Sequence, residues 1–424
     1  MLRAGDSERI PPGVSARRRV LAAWINESCC AAWIFGLIVG LTASAGAFAF
    51  RRLLSACTHL LTGWHGPTPN WWVLLLAPVA AGAVYGPLSH RFEGAPARTT
   101  SLTDPPPFAT PPPGTPAFAA AAILCIGGGG SVGTTGPIIR LGTAGAGSIA
   151  RWISLAQRRT RLLVACGAAA ALTTALDAPL AGPVFALEIA AAECSAATVG
   201  AVVAASASAT LADHYVFAVG PPFLVPPLMI RHLLDLPLSL ALSLLVGIVC
   251  VGFSWILRIT GHLCDRVWKG PRWARPAVGG LPLGALLATM PPLYGVGWTT
   301  LTDVLHRHYA LGMLSLLLAG KMLATALTFG IGGRGGMFAP TLLVGALTGV
   351  LFGTVAHTVL PAVTADPGTY GLIGMTAALA TMLGIPATAI VLTTDATGAY
   401  AAVPLLAAAS FAARGVARRM LASK

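Results

Sequence analysis

From Leu236 to Ile256 the chain runs for 21 residues without a charged side chain. About 20 residues at about 1.5 Å each cross a hydrocarbon layer as one helix. Ala31 to Phe50 is a second uncharged run of this kind. Charged residues make up 10% of the 424, far below the roughly 25% of an ordinary soluble domain. An all-α polytopic membrane protein is the expected fold class. The 49 glycines and 32 prolines are too many for uninterrupted helices. Irregular backbone survives in a bilayer only where protein or a water-filled cavity satisfies it, so broken helices around an internal cavity are expected.

The net charge of +13 comes from clusters at segment ends: Arg17 to Arg19, Arg158 to Arg161, Arg266 to Arg275, and Arg414 to Arg419. This is the pattern of the positive-inside rule and places both termini in the cytoplasm. Aromatic-interleaved basic modules are missing, which excludes nucleic acid as a partner. The eight cysteines sit mostly in apolar runs without zinc spacing and read as small core side chains. His306-Arg307-His308 reads as a solvated segment end, so no metal site is expected. With no nucleophile motif or paired carboxylates, neither an enzyme nor a cofactor is expected. The basic N-terminus lacks a cleavage signal, and no regulatory domain is expected after the last apolar segment.

The most informative pattern is a repeat. Gly167 to Pro179 (GAAAALTTALDAP) and Gly374 to Pro386 (GMTAALATMLGIP) share seven of thirteen residues. An acid follows nine residues beyond each proline, Glu188 and Asp395. Upstream, Gly136-Pro137 with Gly142 matches Ala339-Pro340 with Gly345. Such duplications, often inverted, build transporter folds with a site at the repeat interface. The expected division is a first transmembrane repeat over 1–220 and a second over 221–424, separated near the loop PPFLVPP.

Gly127 to Pro137 reads GGGGSVGTTGP, and Pro137 should open a helix. The amides ahead of it, with the helix dipole, form an anion site. Gly335-Gly336-Met337-Phe338-Ala339-Pro340 builds the same device. Two half-helix N-termini meeting near the bilayer midplane would hold a dehydrated anion without a full positive charge. The Gly-rich run is not a nucleotide loop, since no Gly-Lys-Ser/Thr follows.

With GTTGP, DAPLAGPVFALE, GGMFAP and IPATAIVLTTD in this order, the chain from about residue 30 onward resembles the CLC family of chloride channels and proton-coupled chloride antiporters. The resemblance implies a homodimer in the membrane, most simply a bacterial inner membrane, with a pore in each subunit. It implies an anion pathway at Gly133, Thr134, Thr135, Gly136, Pro137, Gly336, Met337, Phe338 and Ala339. The family's G-(K/R)-E-G-P motif carries a gating glutamate, and Thr135 stands in its place. A hydroxyl can neither compete with chloride as an anion nor shuttle a proton at neutral pH. The inner proton-passing glutamate of the antiporters falls on Ile189, beside Glu188; a shift of one residue would place Glu188 there.

The family's serine loop is not recognisable, and its counterpart offers Thr99, Thr100 or Ser101 as possible hydroxyl ligands. No tyrosine follows Tyr400, so the central site would rest mainly on backbone amides. Arg140, one turn inside the helix, either raises the anion potential or pairs with a buried acid. Lys321 reads as structural or electrostatic, and Arg334 as a loop charge with a pore-mouth role as the alternative. The leading expectation is a passive chloride channel without proton coupling. The alternatives are a chloride or fluoride/proton antiporter using an acid such as Glu188, or a non-conducting protein of the same fold.

Overall fold

A computed structural model describes residues 29–63, 70–92, 114–190, 195–229, 235–361 and 364–422, and these are helical almost throughout. Among the described residues seven helices are long and apolar enough to cross a membrane, the longest being Cys29–Thr62 with 34 residues and Asp235–Val267 with 33. Shorter helices alternate with them, as the glycine and proline content demands. The chain separates into two compact units, one from 1–50, 105–115 and 138–221, the other from 51–104, 116–137 and 222–424.

The first unit contains the N-terminal part of α1 (Cys29–Thr62), the body of α4 (Thr135–Ile153), and α5 (Gln157–Leu176), α6 (Ala181–Ala190) and α7 (Ala196–Leu211). Its core is built of alanines with Val39, Leu163 and Cys166. Small residues let helix backbones approach where lipid offers no hydrophobic drive. At Gly36 of α1 a Cβ would lie 2.5 Å from the Ala201 carbonyl of α7. Buried polar groups are paired: Ser44 Oγ donates to Asp213 at 2.6 Å, and Ser206 Oγ to the Pro179 carbonyl at 2.7 Å.

The second unit holds α2 (Trp71–Phe92), α3 (Thr115–Gly127), α8 (Asp235–Val267), α9 (Arg275–Thr289), α10 (Trp298–Leu305), α11 (Leu311–Gly330), α12 (Phe338–Val359), α13 (Pro367–Met382), α14 (Pro386–Thr397) and α15 (Val403–Ala422). α12 packs along α13, α2 along α9, and α8 against α11, α13 and α15. Asp235, 2% exposed, accepts from the Tyr370 hydroxyl at 2.7 Å and the Ala365 amide at 2.9 Å. Those bonds meet the requirement that a buried carboxylate be satisfied.

The repeat read from the sequence recurs as a helix crossing. In the first unit α4 meets α5 at Gly142 and Gly167, where a Cβ on Gly142 would lie 2.6 Å from the Gly167 carbonyl and 2.8 Å from Ala171 Cβ. In the second unit α12 meets α13 at Gly345 and Gly374, with the corresponding distances 2.5 Å to the Gly374 carbonyl and 2.7 Å to Ala378 Cβ. The same three positions of the repeat make the same close approach.

Gly345→Ala drives a methyl into backbone that cannot rotate away, at a cost of about 1–3 kcal/mol. Gly145, on α4, has nothing within 4 Å of its Cβ position, and Gly145→Ala gains about 0.5–1 kcal/mol of helix preference. Thermal unfolding in detergent should show Tm lowered by the first substitution and raised slightly by the second.

Candidate anion site

The site is built from two copies of one backbone motif, both inside the second unit. After α3, Gly130 N–H donates to the Cys125 carbonyl at 2.8 Å and Gly129 N–H to Ile126 at 3.0 Å; after α11, Gly333 donates to Thr328 at 2.7 Å and Gly332 to Phe329 at 3.1 Å. Gly129 and Gly332 have φ of 97° and 95°, a region open to glycine at little steric cost. Residues 127–137 and 330–340 thus share one order of turn, short extended segment and helix start. Five of their eleven residues are identical, a match broader than the proline-to-glycine spacing that first suggests the duplication.

The two extended segments pair. Gly133 and Gly336 form an antiparallel bridge, with Gly133 N–H donating to the Gly336 carbonyl at 2.7 Å and Gly336 N–H to the Gly133 carbonyl at 2.8 Å. They occupy equivalent positions of the repeat, each four residues before the proline. Just beyond, a Cβ on Gly336 would lie 2.7 Å from Gly136 N. Side chains at these positions would separate the two helix starts.

α4 begins at Thr135 and α12 at Phe338, so both helices open two residues earlier than the prolines alone indicate. Pro137 and Pro340 are third in their helices, among the positions whose N–H would have no intrahelical acceptor. No side chain caps α12 at Met337. The first-turn amides of α12 around Phe338 and Ala339 therefore carry the partial positive charge of the helix end.

Thr134, Thr135, Pro137, Phe338 and Ala339 are buried, whereas Gly136 and Met337 are partly exposed. Thr135 is fully buried, and its Oγ1 has no hydrogen-bond partner among the described residues. Ser131 Oγ is in the same state, a residue the sequence reading passed over because it lies ahead of the threonines. Its backbone is fixed by α11: Ser131 N–H donates to Thr328 Oγ1 at 3.1 Å, and Thr325 Oγ1 donates to the Ser131 carbonyl at 2.9 Å. Buried hydroxyls normally find partners, so two without them beside an uncapped helix end mark a polar surface that a ligand or water can satisfy.

Two buried cations belong to this unit among the described residues. Lys321, fully buried on the α11 face that carries Thr325 and Thr328, donates to the Gly295 and Val296 carbonyls at 3.3 Å each. Arg334 is 8% exposed, which corrects its reading as a solvated loop charge. It occupies the repeat position equivalent to Ser131, beside Tyr85 and Cys125. Arg140, Glu188 and Ile189 lie in the first unit, each half-buried. Thr99, Thr100 and Ser101 lie outside the described residues.

Residues 89–418 match the family model of the voltage gated chloride channels. The chain belongs to the CLC family. Relatives include a Ralstonia nicotianae protein named as ClcB-like among chloride channel proteins, 33% identical over 291 residues, with 66% of each chain covered. The H(+)/Cl(-) exchange transporter ClcA of Vibrio cholerae is 30% identical over 276 residues, covering 63% of this chain and 59% of that one. The matched region spans less than two thirds of these relatives' length. Among solved structures, a slow cyanobacterial Cl-/H+ antiporter aligns with a TM-score of 0.80 at 22% identity, over 92% of this chain and 94% of that one. A CLC-type fluoride/proton antiporter aligns at 0.72 and 19%, over 92% and 96%. The CLC fold follows from these, and with it an integral membrane protein of a family of transporters and channels.

Gly336→Ala tests the backbone bridge, since the added methyl must displace Gly136 N or break the paired hydrogen bonds. The expected result is a stability loss of about 1–3 kcal/mol with anion flux in liposomes largely abolished, while Gly145→Ala retains it.

Proposed function

We propose that the chain is a passive anion channel of CLC type, carrying chloride without proton coupling. The reading rests on one observation: Thr135, at the helix start where the family motif carries its gating glutamate, is buried with an unpartnered hydroxyl. Threonine has no proton-transfer pKa in the working range. It offers a donor to a passing anion and no competing charge. The anion is held by Thr135 and by the amides around Gly336, Met337, Phe338 and Ala339, with Gly133, Thr134, Gly136 and Pro137 shaping the route. Arg334 and Lys321 raise the local potential for an anion. The protein works as a homodimer in a bacterial inner membrane, both termini cytoplasmic, with repeats over 1–220 and 221–424.

A second reading is favoured by the relatives, several of which are named as proton/chloride exchangers: an antiporter that moves protons through Glu188. Liposome flux separates the two. A channel lets chloride run down its gradient without driving protons uphill. Uphill proton movement that is stoichiometric with chloride, and lost in Glu188→Gln, overturns the channel reading.

Thr135→Glu sharpens the test. The introduced carboxylate is ionised above its ordinary pKa of about 4.3 and then occupies the anion's own place at the helix start. Chloride flux in the variant should be low at neutral pH and recover as the pH falls toward 4, a dependence the native protein lacks. Equal flux in both proteins at every pH would remove Thr135 from the pathway.

A further inference from the structure

Away from the anion site, the C-terminal end of α2 and the segment joining α8 to α9 border a shallow, open cleft of about 390 Å³ lined by Pro87, His90, Arg91 and Trp273. That volume lies in the range of small-ligand sites, about 300–1,000 Å³. The cleft is constructed by small residues. Glycines 82 and 86 of α2 leave no room for a Cβ against the carbonyls of Pro276 and Trp273, which brings the turn Arg272–Ala274 onto α2. Trp268 Nε1 closes that turn by donating to the Pro271 carbonyl at 3.1 Å.

Among the described residues the charge around it is one-sided. Arg266, Lys269 and Arg272 make no ion pair among the described residues, and Asp265, the acid of this segment, is engaged by Arg275 at 2.6 Å. Arg91 likewise carries no carboxylate partner among the described residues and stands 5.9 Å from the centroid of the Phe92 ring. Beside the cations lies apolar surface. Trp273 is 48% exposed and Val84 and Phe92 are each 56% exposed. Val84, Pro87 and Arg91 recur at helical spacing on α2, forming one stripe that passes from apolar to cationic.

We propose that this cleft binds the headgroup of an anionic phospholipid. The phosphate sits against Arg91 and His90 in the field of Arg266, Lys269 and Arg272, Trp273 packs on the glycerol region, and an acyl chain follows the Val84 and Pro87 stripe. Basic clusters next to membrane helices attract anionic lipids of the cytoplasmic leaflet, and tryptophan prefers the headgroup level. The apolar stripe selects a lipid over free phosphate, which has nothing to place there. This inference is independent of whether the protein is a channel or an antiporter.

The test is thermal unfolding of the full chain in neutral detergent with phosphatidylglycerol, phosphatidylcholine or inorganic phosphate added, together with native mass spectrometry to count bound lipid. Phosphatidylglycerol should raise Tm by several degrees and stay bound, whereas phosphatidylcholine and inorganic phosphate should not. In Arg91→Ala/Arg272→Ala, affinity for phosphatidylglycerol should fall about tenfold or more. Arg91→Lys/Arg272→Lys, which keeps both charges, should retain most of it, and so should Arg418→Ala/Arg419→Ala, which removes the same charge elsewhere. Equal stabilisation by both lipids or by inorganic phosphate, or equal loss in the distant double variant, would overturn the proposal.

Discussion

The reciprocal hydrogen bonds between Gly133 and Gly336 are the contact on which the site depends. They fix two extended backbone segments in a medium that supplies no competing donors, where each unpaired group would cost several kcal/mol. Only glycine allows the approach, because the next atoms along are the backbone of Gly136 and Gly336 themselves. With the segments pinned, the starts of α4 and α12 are held in place, each contributing the equivalent of about half a positive charge. An anion can then be stabilised without a full cation in direct contact.

The duplication explains how a chain arrives at such a pair. Each copy supplies a helix, a left-handed glycine, an extended segment and a helix start, and the equivalent glycines of the two copies meet. Where the copies diverge they divide the labour: Ser131 in one corresponds to the buried Arg334 in the other, and Thr135 to Phe338. On the alignment proposed above, Thr134 and Thr135 stand at the cationic and carboxylate positions of the family's G-(K/R)-E-G-P motif, and the second copy brings the buried cation Arg334 to the same unit.

Much of this was legible in the sequence. Apolar runs bounded by glycine, proline and arginine mark out the helices, and the GAAAALTTALDAP and GMTAALATMLGIP copies mark the duplication; the close glycine crossings at Gly142 and Gly345 are seen only in the structure. The helices start two residues ahead of the position that proline at the first helical place would indicate, because any of the early positions tolerates its missing N–H. The burial of Arg334 and the part played by Ser131 were not legible. Ser131 is fixed by Thr325 and Thr328 of α11 and Arg334 lies beside Tyr85 and Cys125, long-range contacts with no local periodicity to announce them.

The central claim is that an anion rests where the two helix starts come together, against the Thr135 hydroxyl and the first amides of α12. Anomalous diffraction from crystals grown in bromide tests it most directly. The account predicts a bromide peak within hydrogen-bonding distance of Thr135 Oγ1 and the backbone around Phe338 and Ala339. A well-ordered structure with bromide bound elsewhere and none at that position would contradict it.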